Sequence, residues 1–106
     1  MKTPERGDKL VYCFDIDGTI CTLTNGAYAE AEPLRDRIAH VNALYAEGHV
    51  IKMFTARGST TGIDWTDVTA RQLADWGVDY HELILGKPHF DLLIDDKAIG
   101  SEHYDW

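Results

Sequence analysis

Two aspartates separated by one residue close an apolar stretch near the start of this chain of 106 residues. Leu10-Val11-Tyr12-Cys13-Phe14 reads as a buried strand, and Asp15-Ile16-Asp17-Gly18-Thr19 follows it directly. The two carboxylates therefore sit at a strand's C-terminal end, where ligands bind in open α/β sheets. Gly18 lets the chain leave the strand sharply. Unpaired buried charge is costly, so a strand ending in two acids calls for a cation, or for a phosphate held through one. A calcium loop counted from Asp15 would need glycine at its sixth position and an acid at its twelfth. Ile20 and Gly26 stand there instead, which excludes it.

Three further segments carry polar residues at the ends of apolar runs. His49-Val50-Ile51-Lys52-Met53-Phe54 reads as a second strand leading to Thr55-Ala56-Arg57-Gly58, Leu83-Ile84-Leu85 as a third leading to Gly86-Lys87-Pro88, and Leu92-Leu93-Ile94 as a fourth leading to Asp95-Asp96. Between the first and second strands, Asn25-Gly26 separates two short runs and predicts a β-hairpin flap. Pro33 then opens a helix in which Leu34, Ile38, Val41 and Tyr45 recur at helical spacing and Gly48 closes the end. Asp64 is the expected N-cap of a second helix carrying Val68, Leu73 and Trp76 and stopping at Gly77.

Strands alternating with helices predict one α/β domain over residues 1–106, Rossmann-like, with a mainly parallel sheet flanked by helices. In a parallel sheet the C-terminal ends of the strands share one edge, so Asp15, Asp17, Thr55, Lys87, Asp95 and Asp96 converge. Several acids near one point suit a hard, oxygen-preferring ion such as magnesium. A lysine and a hydroxyl suit a phosphate, and a carboxylate attacks phosphorus to form an aspartyl phosphate.

Composition fits this reading. A chain with 44% hydrophobic and 26% charged residues is that of an ordinary globular domain. The net charge of −8 disfavours a broad grip on nucleic acid or an anionic membrane. Cys13 and Cys21 make no disulfide framework, the segment Met1–Asp8 is polar and lacks a signal-peptide core, and no apolar run spans a bilayer, so a reducing cytoplasm is expected. The five histidines form no metal-binding spacing and read as structural or surface residues. Cys21 reads as packing, Trp65 as core, and Tyr28 as packing within the flap.

The four segments in order resemble the haloacid dehalogenase superfamily, in particular its magnesium-dependent phosphatases. Asp15-Ile16-Asp17-Gly18-Thr19 is similar to its first motif, Thr55 to its second, Lys87 to its third and Asp95-Asp96 to its fourth. The resemblance implies Asp15 as nucleophile and Asp17 as general acid and base. It implies a phosphate site from Gly18, Thr55, Ala56, Arg57 and Lys87, and magnesium held by Asp15, Asp17, Asp95 and Asp96. Lys97-Ala98-Ile99-Gly100 stands where many relatives carry a further acid, so the outer metal shell departs from the pattern. The short intervals leave no room for a cap domain. Closure over the site then falls to the flap, to a second copy of the chain or to a large substrate.

Within the superfamily, Thr55-Ala56-Arg57-Gly58, Gln72-Leu73 with Trp76-Gly77-Val78, Gly86-Lys87-Pro88 and Ile94–Ile99 are similar to small phosphatases of bacterial capsule and polysaccharide biosynthesis. This implies a phosphorylated sugar or polyol acid as substrate. The phosphatase domain of phage-type polynucleotide kinases is a second resemblance and implies a nucleic-acid 3′-phosphate, against which the negative charge counts. A phosphate-binding regulatory module and a phosphotransferase share the same motifs.

Overall fold

The computed structural model describes residues 9–106; the polar segment 1–8, read above for a leader, lies outside the described residues. Three strands, β1 (Val11–Asp15), β2 (Val50–Thr55) and β3 (Glu82–Leu85), form one parallel sheet in the order β1-β2-β3. The register sets Asp15 against Phe54 and Thr55 against Leu85, so all three strands deliver their C-terminal residues to one edge. Two helices, α1 (Arg35–Ala46) and α2 (Thr66–Asp75), connect them, as the alternation predicts. No cap domain interrupts the described chain, and none of its helices is long and apolar enough to cross a membrane.

Period-two alternation decides which side of the sheet is core. Phe14, Ile51 and Met53 point to one face and are buried against Ile38, Val41 and Leu44 of α1 and Leu73 of α2. Helix α1 buries Ile38, Val41 and Leu44, while Tyr45 turns outward and stacks on His81. Gly48, at φ 94°, ends that helix with a left-handed turn as expected. The opposite sheet face carries Val11, Cys13, Val50 and the Lys52–Glu82 ion pair, 3.7 Å apart. Cys13, expected inside a buried strand, is therefore exposed, because neither of the described helices packs on that face.

Two expected elements take other forms. The flap is closed at its base by an antiparallel bridge between Cys21 and Pro33 and by the Thr22 amide donating to the Glu32 carbonyl at 2.9 Å. Asn25 and Gly26 adopt the left-handed turn conformation at its tip, and a short 3-10 helix, Tyr28–Glu30, follows where a second hairpin strand was expected. Leu92-Leu93-Ile94 forms no strand. Leu92 and Ile94 are 80% and 90% exposed. Three apolar residues fall short of the usual ~5–6 of a strand. The run is also hemmed by Pro88 and Asp91 on one side and Asp95-Asp96 on the other, so little burial is available to hold it on the sheet.

The C-terminal aromatics join the core. Tyr104 and Trp106 pack on Phe14 at ring-centroid distances of 6.2 and 5.7 Å, and the Tyr104 hydroxyl lies 2.9 Å from His40 Nε2. Burial pushes the Tyr104 phenol up to about 12. The histidines are structural where their contacts are seen: His49 Nδ1 accepts from the Leu10 amide and His81 Nδ1 from the Ile51 amide, each at 3.0 Å.

The two-faced sheet yields a direct test. Met53→Ala, on the buried face, lowers unfolding free energy by ~2–5 kcal/mol, whereas Cys13→Ala, on the open face, stays within ~0.5 kcal/mol. Urea denaturation followed by circular dichroism measures both.

Candidate active site

Asp15 ends β1 and is answered from two sides. Lys87 Nζ, carried by the turn after β3, lies 3.3 Å from Asp15 Oδ1. Thr19 Oγ1 donates to Asp15 Oδ2 at 3.2 Å. Lys87 is placed through the backbone: its amide donates to the Thr55 carbonyl at 3.1 Å, and its own carbonyl accepts from Ser59 Oγ at 2.6 Å. The sheet edge thus assembles Asp15, Thr55 and Lys87, three of the sequence-derived site residues, with Asp17 two positions further on.

Asp17 is held by Arg57 through a two-pronged ion pair. Arg57 Nε donates to Asp17 Oδ2 at 2.9 Å and Nη2 to Oδ1 at 2.8 Å. The Arg57 side chain is 0% exposed. Its Nη1 donates to Thr69 Oγ1 at 3.1 Å and to Gln72 Oε1 at 2.6 Å, both on α2, and Nη2 also approaches Cys21 Sγ at 3.9 Å. All five N–H groups of the guanidinium are then spent inside the protein. Burial alone would lower the guanidinium's pKa, but the hydrogen bonds and charge of Asp17 outweigh it and raise it. Arg57 was expected to bind phosphate; with no free donor and no exposed surface, its place is behind Asp17, orienting it.

The remaining phosphate-site expectations divide. Thr55 is buried, and its hydroxyl oxygen accepts from the Arg57 amide at 3.1 Å, which leaves its hydroxyl proton to donate. The Gly18 amide donates to the Cys21 carbonyl at 2.9 Å, so it is not a free phosphate donor. Gly18 serves instead as the turn, at φ 78°, and its carbonyl accepts from Ser101 Oγ at 3.0 Å. Ala56 lines a cleft together with Tyr28 and Trp65.

Asp95 and Asp96 do not reach the other carboxylates. Both are exposed, and Asp95 Oδ1 accepts from the Lys97 amide at 3.4 Å. Hydrogen bonds from Asp96 and that amide hold the Asp95 carboxyl below its ordinary value. Among the described residues no group of three or more His, Cys, Asp or Glu side chains is arranged to hold a metal ion. As arranged, the donor set does not fit a divalent cation: Asp15 and Asp17 are each matched by a protein cation, and the second pair of acids stands off in solvent. The reason is electrostatic. Lys87 and Arg57 balance two carboxylates, and two more brought beside them would lose hydration with no partner in the protein.

Several residues at this site were not legible as functional beforehand. Gln72 accepts from Arg57 and donates through Nε2 to the Tyr28 carbonyl at 2.6 Å, tying α2 to the flap. Thr69 and Thr19 act likewise on Arg57 and Asp15. Gln72 and Thr19 stand in segments that already resemble the family, without a role of their own, and the signal for Thr69 is position alone, one helical turn into α2. Tyr28 lies under the Arg57 guanidinium at 4.7 Å and meets Trp65 edge-on at 4.9 Å. Trp65 is thus half-buried at the rim, not core as expected, because it opens α2 at the mouth of the site. Asp64, expected as the N-cap of α2, stands one residue before it: Trp65 is the N-cap, and Asp64 Oδ1 accepts from the Thr66 hydroxyl at 2.6 Å and the Thr66 amide at 2.9 Å, which lowers its pKa. Cys21 is buried beside Asp17, and its thiol is pushed up to about 12, chiefly by burial, which leaves it inert as a nucleophile.

No protein-family model matches the sequence, and no curated protein matches it. Solved structures do. An MCSG target from Vibrio cholerae superposes with a TM-score of 0.76 at 26% identity, over 90% of this chain and 85% of that one. A chain of the Pnkp1/Rnl/Hen1 complex superposes with a TM-score of 0.61 at 16% identity, over 92% of this chain but only 34% of that one. The second likeness is one of fold alone.

If Arg57 orients Asp17, each partner depends on the other. Arg57→Ala and Asp17→Ala are each expected to destabilise by ~3–5 kcal/mol, because each strands a buried charge. The double variant is expected to cost well under the sum, and denaturant titration of the full cycle reads the coupling.

Proposed function

We propose that this protein is a phosphomonoester hydrolase of the haloacid dehalogenase type, working through an aspartyl phosphate. The observation that carries the reading is the pairing of Asp15 with Lys87 at 3.3 Å on the C-terminal edge of a parallel sheet, with Asp17 fixed two residues away. Asp15 is a carboxylate with one side toward solvent, its side chain 34% exposed. A phosphate entering there meets Lys87, which offsets the repulsion between an anionic nucleophile and an anionic substrate. Thr55 offers its hydroxyl to a phosphoryl oxygen.

The chemistry runs in two halves. A carboxylate oxygen of Asp15 bonds to phosphorus as the bond from phosphorus to the ester oxygen breaks, and the departing oxygen takes a proton that the Asp17 carboxylate, an ion-pair partner of Arg57 before substrate binds, must first accept in the substrate complex. Water then gives a proton to Asp17 and attacks phosphorus, breaking the acyl phosphate and returning Asp15. Arg57 aims the Asp17 carboxyl throughout, which limits the directions in which the proton travels.

A small phosphorylated metabolite suits the acidic chain best as substrate. A nucleic-acid 3′-phosphate is the second reading, favoured by the likeness to a chain of the Pnkp1/Rnl/Hen1 complex. The net charge of −8 counts against it. Magnesium enters the proposal through the motif resemblance alone, and it would require the 91–96 segment to come over to Asp15. A location in the cytoplasm and a role in capsule or polysaccharide synthesis are parts of the same proposal.

Phosphate release from a panel of sugar phosphates, glycerate phosphates, nucleotides and 3′-phosphorylated oligonucleotides tests the reading. Turnover of at least one ester is expected, with Asp15→Asn reduced to background while its circular dichroism is unchanged; an active Asp15→Asn protein would overturn the covalent route. Release in excess chelator decides the magnesium part of the proposal: its loss would mean that the 91–96 segment comes over to Asp15, and undiminished release would remove magnesium from the reaction.

A further inference from the structure

The loop after β1 holds itself together through its amides. The Thr19, Ile20 and Cys21 amides all donate to the Ile16 carbonyl, at 3.1, 3.0 and 3.3 Å, and the Gly18 amide donates to the Cys21 carbonyl at 2.9 Å. Two of its carbonyls are answered from elsewhere. The Gly18 carbonyl accepts from Ser101 Oγ and the Thr19 carbonyl from Arg37 Nη1 of α1, each at 3.0 Å. These consecutive residues follow directly on Asp17, and the second carries the hydroxyl that donates to Asp15.

Both outside donors lead back to one side chain. Trp106 Nε1 donates to the Ser101 carbonyl at 2.7 Å, and the Arg37 guanidinium carbon lies 4.9 Å from the centre of the Trp106 ring. The indole thus braces Ser101 by a hydrogen bond and Arg37 by a cation–π contact. It is itself anchored on regular structure. Its ring packs on Phe14 of β1 at 5.7 Å, and Tyr104 beside it packs on both Phe14 and His40 of α1. The Gly100 carbonyl accepts from the His103 and Tyr104 amides at 2.9 and 3.0 Å, which folds the start of the segment into a turn.

Packing on Phe14 accounts for the rings of Tyr104 and Trp106, but not for the Ser101 hydroxyl, which is directed to the loop. Gly18 is where an external brace matters most. It stands at φ 78°, and a residue without a side chain has the widest backbone freedom of any. Such a turn keeps one shape only when its neighbours hold it.

We infer that segment 101–106 positions the Asp15 site: Ser101, Trp106 and Arg37 hold the Gly18 and Thr19 carbonyls and thereby keep the Thr19 hydroxyl on Asp15. They are positioning residues and act through Thr19. The geometry holds whatever the reaction is, while its effect on turnover rests on the phosphatase reading.

The test reads the carbon-13 signal of the Asp15 carboxyl in the full chain at one fixed pH, with Thr19→Val as the reference for a lost hydroxyl. Ser101→Ala, and Trp106→Phe, which keeps a ring on Phe14, are each expected to move that signal in the direction in which Thr19→Val moves it. Ser101→Thr is expected to leave it near its original place, and Ser101→Ala to add no further shift once Thr19 is already valine. An Asp15 signal that stays put in both Ser101→Ala and Trp106→Phe, whatever their urea midpoints, would reduce the segment to core packing and overturn the inference. Phosphate release is scored apart. Where the unmutated protein releases phosphate, Ser101→Ala is expected to lower kcat roughly tenfold and to change KM by less than about twofold. An unchanged kcat beside a shifted Asp15 signal would overturn the effect on turnover. No release from any ester of the panel would sink the phosphatase reading, and the carboxyl signal would decide the positioning by itself.

Discussion

The buried ion pair between Asp17 and Arg57 organises this end of the molecule. A guanidinium taken wholly out of water is tolerated only where every donor finds an acceptor. The chain meets that demand from four places: Asp17 and Cys21 after β1, and Thr69 and Gln72 on α2. Satisfying one side chain thereby fixes the helix, the strand end and, through Gln72 and the Tyr28 carbonyl, the flap. A hydrophobic core can slide by fractions of an ångström with little penalty, but a two-pronged carboxylate–guanidinium contact cannot. The precision of the site comes from this contact, and the bulk of the stability from the apolar layer beneath it.

Charge balance explains the layout of the acids. Asp15 answers to Lys87 and Asp17 to Arg57, one cation each, from turns that follow β3 and β2. The Asp95-Asp96 pair finds its partners locally, in the Lys97 amide and in solvent. The β1 edge that lies away from β2 pairs with no strand among the described residues, and the apolar triplet before Asp95 lies exposed. Burial of Phe14 is completed instead by Tyr104 and Trp106, so the C-terminal aromatics act as part of the core.

Much of this was legible in the residues. The strands over Val11–Asp15 and Val50–Thr55 follow from dense β-branched and aromatic runs. Helix α1 follows from its apolar spacing and Gly48. The convergence of Asp15, Thr55 and Lys87 follows from parallel topology alone. Harder to read were residues whose meaning is relational. Arg57 looks like a phosphate ligand until Gln72 and Thr69 are seen to saturate it. Trp65 looks like core until its neighbours prove to be Tyr28 and a cleft.

By itself, then, the sequence determined that one sheet edge gathers several charged and hydroxyl-bearing residues, because strand identity and direction are set by local pattern and connection length. The tertiary structure alone decided which cation pairs with which carboxylate, that Arg57 faces inward, that Gly18 serves as a turn, and that Asp95 and Asp96 stand apart. Those outcomes depend on competition for a limited number of charges and hydrogen-bond donors in a small volume. Such competition is settled by three-dimensional proximity, which spacing along a chain does not encode.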